Sequence, residues 1–214
     1  MTALKKFLIN LYERILNLIY YQRALVYSHD LDNYNKVVEA KIPLVISHAS
    51  VDEIKKLHQN PEMDLKVFSW DYLRKKIETG TWKCLVAKYE DKVIGYTFYS
   101  KDELPIWGTK KIEFALPPDA AYGFRSFVLS EYRNLSIAKQ LHHVKMEILK
   151  KQEIKIKFAG ADSTNKAMRN IIEKQQEGIC IGSVTFMLTK FFNKVFISKG
   201  IYNAGLTIKR IYEE

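Results

Sequence analysis

The chain has 214 residues and a mass near 25 kDa, with 47% hydrophobic and 27% charged residues, a balance that excludes intrinsic disorder as its main state. The net charge is +10, and it is lopsided: residues 1–107 hold 16 Lys/Arg against 14 Asp/Glu, residues 108–214 hold 18 against 10. Two cysteines, Cys84 and Cys180, exclude a disulfide framework and cannot alone hold a structural zinc, so the expected location is cytoplasmic.

No run of 18 apolar residues occurs, so no membrane-spanning helix is expected. Leu4, Phe7, Leu8, Leu11, Tyr12, Ile15, Leu16 and Ile19 recur at the spacing of one helix face, with Lys5, Lys6, Glu13 and Arg14 opposite. Three roles suit that face over residues 4–20: packing on its own domain, a membrane-surface contact that would make the protein membrane-associated, or a dimer contact. Residues 23–31 read as a strand, and residues 1–40 together as a helix–strand extension ahead of the main domain over 41–214.

A second strand is expected over 42–48. Ser50 is a good N-cap for a helix from Val51 that Asn60-Pro61 ends. Another helix runs from about Ser69 to Thr79, where Gly80 stops it. Trp82 to Tyr89 and Val93 to Tyr99 form a hairpin through Glu90-Asp91-Lys92. Residues 111–116 and 120–129 read as a further pair of strands joined by Pro117-Pro118-Asp119. There follow a helix over 136–151, a strand over 154–161, a helix over 164–176, and strands over about 180–190 and 194–199. Hairpins followed by alternating helices and strands predict an α/β (α+β) fold with a mixed sheet.

The phosphate loop of nucleotide hydrolases, the dinucleotide fingerprint, the Gly-x-Ser-x-Gly elbow and His-Glu-x-x-His are all absent from the sequence. No metal site is expected. His142 and His143 point about 100° apart on one helix, and read as surface or half-buried residues. Cys84 reads as a small core residue.

The informative segment is Val128-Leu129-Ser130-Glu131-Tyr132-Arg133-Asn134-Leu135-Ser136-Ile137-Ala138. An apolar strand runs into a short turn and then a helix. Small residues at Ser136 and Ala138 let a ligand approach the backbone at the helix start. The N–H groups there favour an anion, and Arg133 adds a positive charge.

This segment resembles the cofactor motif of the GNAT acetyltransferase superfamily, Arg/Gln-x-x-Gly-x-Gly/Ala after a strand. Ser136 stands where the first glycine is usual, and Ser130 where proline is common. The resemblance extends to Asn165 after the next strand and to the element order over about 42–199. It implies a GNAT-like, mostly antiparallel central sheet flanked by helices. It also implies acetyl-CoA, or another acyl-CoA, as co-substrate. Phe127, Val128 and Leu129 would face the pantetheine arm. Arg133, Asn134, Leu135, Ser136, Ile137, Ala138 and Lys139 would form the pyrophosphate loop, with Asn165 as a further cofactor contact. The family's common tyrosine acid is replaced by Ile172.

The activity so implied is N-acyltransfer, most simply of acetyl, to the primary amine of a small molecule such as an amino sugar or amino acid. The amine attacks directly in a ternary complex. A Leu129 N–H would polarise the thioester carbonyl. Glu113 and Tyr122 are the candidate proton-transfer residues, with a surface carboxylate and a core or rim tyrosine as the plainer alternatives. Two other readings keep the fold: a longer acyl chain taken from acyl-CoA or an acidic acyl carrier protein, or a non-catalytic CoA-binding domain. Lys139, Lys145, Lys150, Lys151, Lys155 and Lys157 make a basic stretch beside the loop. No recognised nucleic-acid module accompanies them, so nucleic acid is not expected as a partner.

Overall fold

Residues 20–106, 112–188 and 193–211 are described by the computed structural model. The apolar helix expected over residues 4–20 lies outside them except for Tyr20, which begins a strand. Among the described residues no helix is long and apolar enough to cross a membrane.

The chain divides into two compact units. One comprises His29–Leu104 and Leu116–Ala159, and the other holds the remaining described residues. The first unit starts at the end of β1 (Tyr20–Asp30) and continues through β2 (Val45–His48), α1 (Val51–Gln59), α2 (Trp70–Glu78), β3 (Trp82–Tyr89) and β4 (Lys92–Ser100). A short β5 (Glu103–Ile106) carries the chain out of it. β7 (Ala120–Val128), α3 (Ile137–Lys151) and the start of β8 (Ile156–Asp162) complete it. Its strands lie in the order β8–β7–β4–β3–β2, antiparallel except for the β7–β8 pair.

Local sequence explains most of these boundaries. Ser50 forms a capping box with Glu53, satisfying two backbone donors at the start of α1. Asn60 ends that helix, and its side chain then caps the 3₁₀ turn Pro61–Met63. Glu90 and Asp91 both adopt positive φ (+47° and +65°), the two-residue hairpin geometry whose twist matches that of the flanking strands.

Trp82 is the centre of the core, with no exposed surface. Phe68, Tyr72, Phe98 and Phe124 pack edge-on against it at 4.7–6.4 Å between ring centroids. Its indole Nε1–H donates to Glu103 at 2.9 Å. The same carboxylate is paired with Lys76, so the buried charge is neutralised.

In the second unit β1 pairs antiparallel with β9 (Ile179–Leu188), and β9 with β10 (Asn193–Ile197). β6 (Ile112–Ala115) pairs with β11 (Thr207–Ile211). Residues 111–116 and 120–129 are therefore not partners: the first joins a C-terminal strand, the second joins β4 and β8. The helix expected over 164–176 is a five-residue α4 (Lys166–Asn170) running into a π-helical turn, Ile171–Gln175. The sequence reading missed β5, α5 (Lys199–Asn203) and β11. β5 contains Pro105, β11 carries a register shift between Ile208 and Arg210, and all three elements are only four or five residues long. Tertiary partners, not local periodicity, define them.

The first unit also buries His142, which the sequence reads as surface or half-buried, together with His29. His29 and His142 are 3% and 6% exposed, their rings 6.0 Å apart. The His29 Nδ1–H donates to the Lys157 carbonyl at 3.1 Å, and neither Nε2 has a hydrogen-bond partner. Burial pushes His29 down to about 2 and His142 well below its usual value. The unfolded chain therefore binds protons below pH 6.5 that the folded chain refuses. Stability is expected to fall as pH drops below 6.5, by up to about 1.4 kcal/mol per pH unit for each histidine. Urea titrations of wild type and His142→Leu between pH 7 and 5 check this: the variant should lose less stability over that range.

Candidate active site

The site is built on β7, where its two edges behave differently. On one edge the β4 ladder runs to Gly95↔Val128. On the other, the parallel β8 ladder stops at Gly123↔Ala159. From Phe124 to Val128 that second edge has no ladder partner among the described residues. The Leu129 N–H donates to the Ile94 carbonyl at 2.9 Å, so the donor that the sequence suggested for a thioester is engaged with β4. Alternation along a strand turns the neighbouring Val128 N–H to the open edge.

β7 is also distorted. Its register with β4 shifts between Tyr96 and Phe98, and Arg125 sits at φ +49°. Such a backbone is unfavourable for a non-glycine residue and needs support. The Arg125 guanidinium donates to the Asp64 carbonyl at 2.8 Å and to its carboxylate at 3.1 Å, and lies 6.0 Å from the Phe68 ring. The loop between α1 and α2 is thereby tied to the strand's bulge.

After Leu129 a 3₁₀ turn, Ser130–Tyr132, leads to Arg133. The Arg133 Nε–H donates to the Val128 carbonyl at 3.2 Å, with its guanidinium 5.9 Å from the Phe127 ring. Asn134 and Ser136 are both left-handed, at φ +65° and +63°. Ser136 is the N-cap of α3, and its side chain makes no capping hydrogen bond. The helical ladder begins with the Gln140 N–H donating to the Ser136 carbonyl at 3.0 Å. The N–H groups of Ile137, Ala138 and Lys139 thus precede the ladder. They leave the positive end of a 15-residue helix open to an anion. Two contacts hold the loop from outside: the Lys41 N–H to the Leu135 carbonyl at 2.9 Å, and the Ala40 N–H to Gln140 Oε1 at 3.1 Å.

The sequence-predicted residues divide accordingly. Phe127, Val128, Leu129 and the 133–139 segment are consecutive on this strand and loop. Arg133, Asn134, Ala138 and Lys139 are exposed; Leu135 and Ser136 are half-buried; Ile137 is buried and anchors the helix start. Glu131 is exposed and paired with Lys92 at 2.8 Å. Tyr122 is buried, its ring stacked on Phe124 at 5.4 Å, and burial pushes its hydroxyl well above the usual tyrosine range. Asn165 and Glu113 belong to the other unit. The Asn165 side chain caps α4 by accepting from the Met168 N–H at 3.0 Å. Glu113 is 3% exposed and lies opposite Arg210 in the β6–β11 ladder, so it is not a surface carboxylate.

Sequence reasoning missed a second set of polar groups behind β7. Lys145 and Lys157, read as part of a basic stretch beside the loop, are each 2% exposed. Lys157 belongs to β8. Gly123 leaves room for both amines: a Cβ there would lie 2.8 Å from Lys157 Cε and 2.9 Å from Lys145 Nζ. A signal did exist. Lys145 stands four residues from both Leu141 and Leu149, on the apolar stripe of α3.

Comparison with known proteins adds independent findings. The acetyltransferase (GNAT) family description matches residues 50–176. A search of curated proteins found no match. Among solved structures, a Drosophila protein is similar at 12% identity and TM-score 0.54, covering 86% of this chain and 57% of its own. A putative GNAT-family acetyltransferase from Novosphingobium aromaticivorans is similar at 11% identity and TM-score 0.51, covering 84% and 66%. A tandem GNAT protein from the clavulanic acid biosynthesis pathway is similar at 14% identity and TM-score 0.51, covering 82% and 52%. The chain thus spans roughly half to two thirds of these structures' lengths.

Proposed function

Because the chain belongs to the acetyltransferase (GNAT) family, we propose that it binds acetyl-CoA at the β7–α3 loop and transfers the acetyl group to the primary amine of a small molecule. The observation that carries this reading is one strand edge released from its ladder and, after a short turn and loop, a helix start with open N–H groups. Such an edge suits the amide-bearing pantetheine arm, and such a helix start suits a pyrophosphate. The donors present fit that group: the N–H groups of Ile137, Ala138 and Lys139, the uncommitted Ser136 hydroxyl and the exposed Arg133. The serine hydroxyl supplies a hydrogen bond where glycine would supply only space.

In this reading the chain aligns the thioester beside an amine and orients its carbonyl with the Val128 N–H. Arg125, Phe68 and the α1–α2 loop border the bulge and form the acceptor side. Tyr122 keeps its proton at neutral pH and serves as a hydrogen-bond donor. The experiment is an acceptor screen with acetyl-CoA over amino sugars, amino acids and polyamines, following thiol release. Amine-dependent release that Ser136→Trp abolishes is the expected result. Thiol release with none of them would overturn the assignment to amine acetylation.

A further inference from the structure

We propose that Ser126, Thr97 and Lys145 form a proton relay that takes the proton from the attacking amine, with the Ser126 hydroxyl as the group that meets the substrate. This rests on the acetyltransfer reading above.

The relay is a chain of three atoms. Ser126 Oγ and Thr97 Oγ1 are 2.7 Å apart, and Thr97 Oγ1 and Lys145 Nζ are 2.8 Å apart. Ser126 is exposed, Thr97 is 1% exposed and Lys145 is 2% exposed, so the chain leads from solvent into the core. Its outer end lies on the part of β7 beyond Gly123, where the β8 ladder has ended. That is the stretch assigned above to the thioester arm.

The inner end is a buried amine with no carboxylate partner among the described residues. The groups acting on it are the Cys84 thiol from β3, Lys157 from β8, His29 from β1 and His142 on its own helix. Burial pushes Lys145 down to about 8, and it pushes Lys157 well below its usual value with Lys145 adding repulsion. Cys84 stays a thiol, its pKa raised by burial, and both histidines stay neutral. Lys145 therefore exchanges its proton near neutral pH, where a general base is most effective.

Hydroxyls both donate and accept, so the chain reverses direction. With Lys145 charged, its ammonium donates to Thr97, which donates to Ser126. With Lys145 neutral, Ser126 donates to Thr97, and Thr97 to the amine. As the substrate nitrogen attacks, the C–N bond forms and the C–S bond breaks with its electron pair on sulfur. The nitrogen's surplus proton passes to Ser126, the Ser126 proton to Thr97 and the Thr97 proton to Lys145. The same three atoms return one proton to the thiolate, giving free CoA thiol. No proton is gained or lost overall.

The test is kcat/KM against pH with acetyl-CoA and glucosamine, spermidine and L-lysine as amine probes. Ser126→Ala is expected to lower kcat on the order of 100-fold with little change in the KM for acetyl-CoA, and Ser126→Thr to restore it. Lys145→Met is expected to remove the rise of activity near pH 8 while acetyl-CoA still raises the melting temperature. Unchanged kcat in Ser126→Ala, or an unchanged pH profile in Lys145→Met, would overturn the relay and leave the acetyltransfer reading standing. Acetylation of no amine by the wild type would overturn both. If Lys145→Met does not fold, Thr97→Val, which breaks the same chain at its middle, decides by the same profile.

Discussion

Trp82→Ala is expected to cost the protein about 3–5 kcal/mol, the range for truncating a fully buried aromatic residue. The effect has two sources. The indole fills the space between Phe68, Tyr72, Phe98 and Phe124 and has no exposed surface, so its removal leaves a cavity bordered by rigid rings from a loop, a helix and two strands. Its N–H also helps satisfy the buried Glu103 carboxylate, and an under-satisfied buried charge adds to the penalty. For a chain of this length the melting temperature should drop on the order of 10 °C. Trp70→Ala is the control, because that indole is only half-buried; its cost should stay below about 1.5 kcal/mol. Equal losses in the two variants would contradict this account of the core.

Ser136→Trp is expected to weaken acetyl-CoA binding more than 100-fold, on the order of 3 kcal/mol, without unfolding the protein. Ser136 is half-buried at a helix start, and its side chain makes no cap hydrogen bond that folding needs. An indole there would occupy the space in front of the Ile137, Ala138 and Lys139 N–H groups. Ser136→Gly should act in the opposite direction. The residue sits at φ +63°, a conformation that costs an L-residue on the order of 1 kcal/mol and glycine almost nothing. That variant should melt higher and bind at least as tightly. Calorimetric titration with acetyl-CoA and thermal melts of the three proteins separate the effects. Wild-type affinity in Ser136→Trp would show that the loop holds no cofactor.

The loop was legible in the sequence because its chemistry is local. Arg133, Ser136 and Ala138 lie within six residues, and the strand before them and helix after them announce themselves by periodicity. The capping of α1, the β3–β4 hairpin and the helix over Ile137–Lys151 were legible for the same reason. What stayed hidden depends on distant partners. Lys145 and Lys157 look like surface lysines until Gly123, more than twenty residues from either, opens space for both. The Leu129 N–H looks available until Ile94 is seen to accept it. The strand at Ile112–Ala115 pairs with Thr207–Ile211, far along the chain, and not with Ala120–Val128, choices that no local pattern encodes. Glu113, a candidate proton-transfer residue in the sequence, is buried beside that pairing.

The central claim is that the open edge of β7 and the start of α3 together hold acetyl-CoA. Amide chemical shifts of the full-length protein, followed during titration with acetyl-CoA, test it most directly. The account predicts saturable changes concentrated at the Val128 amide and at the amides of Ile137, Ala138 and Lys139. It predicts little change at the Leu129 amide, which donates to Ile94. Saturation with those four amides unmoved, or no saturable change at millimolar acetyl-CoA, would contradict it.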